Sequence, residues 1–185
     1  MRIITGTAKG RQLKPPRGHD VRPTSDRVKE SLFAILAGRV GDAAVADIFA
    51  GTGNLGLEAL SRGAASAVFV DASPASIAII RDNVVRTGLG DRAEILRSDA
   101  LAAVDRFARA GRSFDLIFCD PPYNRGLPAA VLDKLAAVDI LRPGGTVIIE
   151  HSRHEQLPES LVNLKISRTE RYGETLVSFL THINT

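Results

Sequence analysis

Between Ala43 and Glu150, short apolar runs alternate with segments of helix length. The runs are Ala44–Phe49, Ala67–Val70, Ala93–Leu96, Phe114–Cys119 and Thr146–Glu150. Nearly every position in them is apolar, with no polar partner at the alternate site. Strands of that kind are buried on both faces, which means a parallel sheet covered by helices. The intervening segments supply those helices. Leu55–Ser61 ends at Arg62-Gly63. Ser73-Pro74 opens a helix that runs through Ile77 and Ile80 to about Arg86, with proline at its favoured first turn. Ser98-Asp99 precedes a helix to about Ala108, and another covers about Pro128 to Val138. Arg142-Pro143-Gly144-Gly145 reads as a tight turn into the fifth strand. The tail breaks the rule. Leu161–Arg171 and Thr175–Leu180 flank Tyr172-Gly173-Glu174 with no helix between them, so they pair antiparallel.

The first glycine cluster follows the first strand. Gly51-Thr52-Gly53-Asn54-Leu55-Gly56 fits G-x-G-x-x-G, and Asp71 lies twenty residues beyond Gly51 at the next strand end. A nicotinamide dinucleotide can use such a loop. However, Asp47 stands just before it, where a carboxylate would repel a pyrophosphate and accept bonds from an ammonium group. That arrangement suits S-adenosylmethionine. Asp71 is then expected to take the ribose hydroxyls, and Asp99 the adenine amino group, with Ala100 giving a backbone donor. Phe49, Gly51, Gly53, Asn54, Gly56, Ala72 and Thr24 complete the expected cofactor set. The plainer reading of Asp99 is an N-cap, and the two roles are compatible. Acids at successive strand ends line the sheet edge where open α/β folds bind ligands.

The fourth strand ends in Asp120-Pro121-Pro122-Tyr123. Two prolines remove two backbone donors and fix two φ angles, so neither strand nor helix continues. The corner offers a carboxylate, donor-free carbonyls and an aromatic ring, which suit a flat amine-bearing group such as a nucleobase. Asp120 and the Pro121 carbonyl would accept the amine hydrogens, with Pro122 stiffening the corner. Tyr123 would stack on an unpaired base. The plainer reading is a strand-ending turn. Cys119 precedes the corner but lies in an apolar strand with no base nearby, so it reads as a small hydrophobe. His151, His154 and His182 read as ordinary polar residues.

Charge is unevenly distributed. Residues 1–40 hold nine bases against three acids, a net +6, so the remaining residues carry −3 of the overall +3. A basic segment on a mildly acidic body reads as a docking surface for a polyanion. Ile3-Ile4-Thr5-Gly6 and Arg11-Gln12-Leu13 suggest a small hairpin. Thr24 or Ser25 caps an amphipathic helix reaching Gly38, with Arg27 and Lys29 expected on its polar face. Arg2, Lys9, Arg11, Lys14, Arg17 and Arg22 are the expected phosphate contacts, positioning RNA without reading sequence. Arg22-Pro23-Thr24 reads either as a lid over cofactor and base or as a helix cap. Two units are expected, a basic extension over residues 1–40 and a catalytic domain over 41–185.

A single cysteine excludes an intrachain disulfide, and no Cys/His cluster suggests a metal. No signal-peptide pattern and no membrane-spanning run is present, so a soluble, cytoplasmic chain is expected.

Several stretches together resemble the RsmD family. They are Met1–Gly6, Arg22-Pro23-Thr24, Glu30-Ser31-Leu32-Phe33, Asp47–Ala64 and Phe114–Tyr123. The resemblance covers residue 1 to about 150. It implies a class I S-adenosylmethionine-dependent methyltransferase, Rossmann-like. The sheet would be mostly parallel and seven-stranded, with an antiparallel C-terminal hairpin. It also implies methylation of a guanine N2 in bacterial 16S ribosomal RNA, at nucleotide 966 in the usual numbering. The partner would be the RNA or the assembling small subunit, and a monomer is expected. Where the family often carries a glutamate as the ribose acid, this chain has Asp71. Other classes compatible with the residues are a DNA or RNA adenine N6 methyltransferase, a protein side-chain methyltransferase, a non-catalytic RNA-binding protein on the same fold, and a nicotinamide oxidoreductase. A DNA enzyme usually carries a recognition insert, for which there is no room here.

Overall fold

A computed structural model describes residues 1–16 and 24–184. Its helices and strands are α1 (Asp26–Ile35), β1 (Ala44–Ile48), α2 (Asn54–Ser61), β2 (Ser66–Asp71), α3 (Pro74–Thr87), β3 (Ala93–Arg97), α4 (Ala100–Arg109), β4 (Phe114–Cys119), α5 (Leu127–Ala136), β5 (Leu141–Ser152), β6 (Leu164–Tyr172) and β7 (Thr175–His182). The seven strands form one sheet in the order β3-β2-β1-β4-β5-β7-β6. The first five are parallel, and β7 pairs antiparallel with both β5 and β6. The expected sheet and its terminal hairpin are therefore present.

Strand alternation divides the core into two layers. Val45, Ala67, Phe69, Leu116, Phe118 and Ile148 face α2, α3 and the amino-terminal residues. Their neighbours Ala46, Val68, Val70, Ile117, Cys119 and Ile149 face α4 and α5. Asp47, Asp71, Asp120 and Glu150 share the parity of the first set. One face of the sheet thus gathers four acids at its carboxyl edge.

The amino-terminal residues pack against the domain. Ile3 N donates to the Arg11 carbonyl (3.0 Å) and Leu13 N to that of Met1 (3.0 Å), closing the expected hairpin. Ile3 and Leu13 are buried in the core. Ile4 N and Thr5 N donate to the Glu58 carboxylate on α2 at 2.9 and 3.1 Å. Lys29 corrects the expectation of a polar helix face. Its side chain is fully buried, with Nζ 3.1 Å from Glu58. The ammonium also donates to the Arg2 carbonyl (2.5 Å) and to Asn54 Oδ1 (2.7 Å). Burial pulls its pKa down against the pull of Glu58. Arg142–Gly145 corrects a boundary, because these residues belong to an irregular β5. The β4–β5 register jumps from the Phe114–Leu141 pair to the Leu116–Thr146 pair, so the expected turn is a bulge within the strand. No described helix is long and apolar enough to cross a membrane.

Candidate active site

The loop after β1 turns back over the sheet edge. Phe49 sits at φ 62°, unusual for a side chain of that size, and Gly51 at φ 59° and Gly53 at φ 79° continue the left-handed course. A non-glycine residue held in that region is a feature of ligand-binding turns. Two acids fix the loop. Asp71 Oδ2 accepts from Gly51 N (2.9 Å) and Oδ1 from Ser73 N (2.9 Å). Asp47 Oδ2 accepts from Gly56 N (2.9 Å). Gly56 has a packing role, since a Cβ there would meet the Phe69 ring at 2.4 Å.

A cavity of about 250 Å³ opens between this loop, α3 and the end of β4. Of the expected residues it is lined by Asp47, Phe49, Gly51, Asn54, Thr24 and Asp120. Gly53, Gly56 and Ala72 do not line it. Asp71 acts on its wall through Gly51. Asp99 and Ala100 lie outside as well, and Asp99 takes the plainer role, capping α4 by accepting from Ala102 N (3.1 Å). Sequence reasoning missed Pro16, Thr52, Ser73 and Ile79, which also line the cavity.

Electrostatics inside are unusual. Burial pushes the Asp47 carboxyl up to about 8, with Asp71 adding to the effect and the Gly56 hydrogen bond opposing it. Asp120 is raised well above the carboxylate range by burial, then by Glu150 and Asp47, with Thr24 opposing. Among the described residues, no Lys or Arg pairs with Asp47, Asp120 or Glu150. Asn54 contributes a donor. Its Oδ1 is held by Lys29, and its buried Nδ2 has no partner.

Beyond Asp120 the corner is rigid. Pro121 is buried and Pro122 exposed. The Tyr123 hydroxyl donates to Glu150 Oε1 (2.5 Å) and lies 3.1 Å from Thr175 Oγ1. Thr24 Oγ1 is 3.1 Å from Glu150 Oε2 and 3.4 Å from Asp120 Oδ2. Ser25, not Thr24, caps α1. Glu150 is the acid that sequence reasoning passed over, although its strand parity was readable. Cys119 is buried and its thiol is pushed up by burial and then by Asp47 and Asp120, as expected of an inert residue. His151 is buried with Nε2 2.9 Å from Ser178 Oγ, and burial lowers its pKa.

The expected phosphate contacts divide. Lys9 and Arg11 are exposed and have no ion-pair partner among the described residues. Arg2 pairs with Asp26 (3.6 Å) and Lys14 with Asp82 (2.5 Å). Arg17 and Arg22 lie outside the described residues.

A strand-end acid, a left-handed glycine loop and the acid of the Asp-Pro-Pro-Tyr corner share one cavity. The family model "Conserved hypothetical protein 95" matches residues 1–181. The chain belongs to this family, the RsmD family. It is 38% identical to "Putative rRNA methyltransferase YlbH" of Bacillus subtilis over 96% of this chain and 97% of that one. It is 34% identical to "Ribosomal RNA small subunit methyltransferase D" of Escherichia coli over 94% of this chain and 86% of that one. A solved structure, "Putative methyltransferase yhhF from Escherichia coli", superposes with a TM-score of 0.86 at 34% identity, over 98% of this chain and 97% of that one. The RsmD-family fold is thus the class I methyltransferase fold expected from the sequence.

Proposed function

We propose that this RsmD-family chain methylates the exocyclic N2 amino group of a guanine in bacterial 16S ribosomal RNA, at nucleotide 966, with S-adenosylmethionine as cofactor. The observation that carries the reading is one cavity walled on one side by Asp47 and the glycine loop, and on the other by Asp120. The names of the relatives support ribosomal RNA as the substrate class.

The residues fit the cofactor. Asp47 suits its ammonium group, and the orphaned Nδ2 of Asn54 suits its carboxylate. Asp71 retains free lone pairs for ribose hydroxyls after its two backbone bonds. Asp99 and Ala100 remain candidates for the adenine. Bound there, the cofactor supplies an electrophilic methyl group. The residues of the chain do the rest. A guanine N2 is a poor nucleophile because its lone pair is delocalised into the ring. Asp120 and the Pro121 carbonyl accept the amine hydrogens, which draws the nitrogen toward tetrahedral geometry and stabilises the positive charge that develops on it. Tyr123 presents its ring to the base while its hydroxyl is tied to Glu150. Positioning of two substrates contributes several kcal/mol more. The hairpin cations, Lys9 and Arg11 foremost, hold RNA phosphates, and residues 1–40 serve as the docking unit. The protein works as a soluble cytoplasmic monomer.

Asp120→Ala tests the reading. The variant keeps cofactor binding by calorimetry and loses methyl transfer to 16S RNA, and near-normal turnover would refute the assignment. Mass spectrometry of ribosomal RNA from cells with and without the protein locates the methylated base.

A further inference from the structure

Two carboxylates and three hydroxyls meet at the corner, and they are short of hydrogens. Thr24 has one hydroxyl hydrogen and two carboxylate oxygens in reach, Glu150 Oε2 at 3.1 Å and Asp120 Oδ2 at 3.4 Å. The Tyr123 hydroxyl spends its hydrogen on Glu150 Oε1. One further proton on either carboxylate would complete the chain Asp120 Oδ2–Thr24 Oγ1–Glu150 Oε2. Methylation of an amino group releases one proton. We propose that Glu150 receives that proton from Asp120 through the hydroxyl of Thr24, and is therefore a positioning residue for the reaction.

The transfer balances. The methylated amine carries one hydrogen too many, and its N–H bond breaks toward Asp120, leaving the electron pair on nitrogen. Asp120 passes the proton to Thr24 Oγ1 as the hydroxyl's own hydrogen moves to Glu150 Oε2. Thr24 ends as it began and Glu150 ends protonated. Three elements build this path: Asp120 directly follows β4, β5 carries Glu150, and Thr24 precedes the cap of α1. The register leads to it, because Cys119 pairs with Ile149 and the next residue on each strand is an acid. The groups facing Asp120 are Glu150, Asp47 and Thr24. Those facing Glu150 are Thr24, Tyr123 and Asp120, with Thr175 of β7 behind the tyrosine hydroxyl. His151 turns to the other face, against Ser178.

This inference rests on the reading of Asp120 as the group that accepts the amine hydrogens. Its test is a double-mutant cycle on single-turnover methyl transfer, with Glu150→Gln and Thr24→Val. Glutamine keeps an oxygen for the Tyr123 hydroxyl and removes the proton acceptor, and Thr24→Ser keeps the relay hydroxyl. Each single variant is expected to slow transfer about tenfold or more, and the double variant to be no slower than either. Serine restores the rate. The carboxyl of Asp120, followed by NMR in the free protein, titrates lower in Glu150→Gln because a like charge is gone. Multiplicative rate losses, or an Asp120 titration that does not move, would overturn the relay. Near-normal transfer in Asp120→Asn would overturn the underlying reading, whereas a dead Asp120→Asn beside a fully active Glu150→Gln would overturn the relay alone.

Discussion

Asp47 should weaken the free protein and make cofactor binding release protons. The residue is 2% exposed, and burial pushes its carboxyl up to about 8, against about 3.9 in an unfolded chain. Between those values the folded state holds a proton that the unfolded state has lost. A carboxyl raised on folding therefore contributes stability at low pH that is lost as pH rises. The slope is about 1.4 kcal/mol per pH unit, on the order of 4 kcal/mol by pH 7. Above about pH 8 the slope ends, because both states are ionised. Asp47→Asn removes the titration and keeps an oxygen for Gly56 N, so its urea stability should lack this slope and exceed that of the parent at pH 8. Cofactor binding runs the other way. An ammonium group requires the ionised acid, so affinity should tighten roughly tenfold per unit from pH 6 toward 8, until the ligand's own amine begins to lose its charge. At pH 7 calorimetry in buffers of different ionisation enthalpy should count about one proton released, and more if Asp120 ionises with it. In Asp47→Asn the affinity should fall by about thirtyfold or more, and its pH dependence should flatten. Cofactor affinity independent of pH in the parent, with no proton released, would refute the reasoning.

Other perturbations separate the parts of the molecule. Lys29→Ala leaves the buried Glu58 carboxylate with Arg62 as its remaining cation and strips Asn54 Oδ1 and the Arg2 carbonyl of their donor, so urea denaturation should show a loss of about 1–3 kcal/mol, above that of a surface lysine. Gly56→Ala drives a methyl into the Phe69 ring and should lower stability by about 1–3 kcal/mol, with cofactor affinity weakened through Asp47. Neutralising Lys9 and Arg11 together should lower the slope of log affinity for RNA against log salt by about 1.5, while Lys14→Ala, already paired with Asp82, should change it less.

Most of the fold could be read from the sequence because buried parallel strands are continuous apolar runs, and Gly88 and Ser73 mark helix ends in the usual way. The bulge at Arg142–Gly145 could not, because Pro-Gly-Gly announces a break in the chain without saying whether the strand resumes beside the same neighbour. In the site, Asp47 and Asp120 were readable from their strand-end positions. Asp99 was ambiguous by chemistry: the same carboxylate that would read an adenine amine also caps a helix, and in the free protein it caps. Glu150 was missed for a different reason. It reads as the last residue of a strand, and only the parallel register with β4 brings it beside Asp120.

Lys29 shows why counting charges overstates the exposed positive charge. The net +6 of residues 1–40 treats every base as exposed. Lys29 is wholly buried against Glu58, Arg2 and Lys14 face acids, and Lys9 and Arg11 near the hairpin end are left bare. The buried lysine links the two halves of the proposed reaction. Glu58 holds the hairpin through Ile4 N and Thr5 N, and Lys29 joins that carboxylate to Asn54, whose free amide nitrogen belongs to a residue lining the cofactor cavity. The hairpin that carries Lys9 and Arg11 and the first residue of α2 are therefore fixed to one buried ion pair. Shifting the hairpin would break hydrogen bonds to that pair, which a desolvated charge tolerates poorly. Under the proposed function, a rigid link of this kind would set the distance between the RNA phosphates and the reacting base.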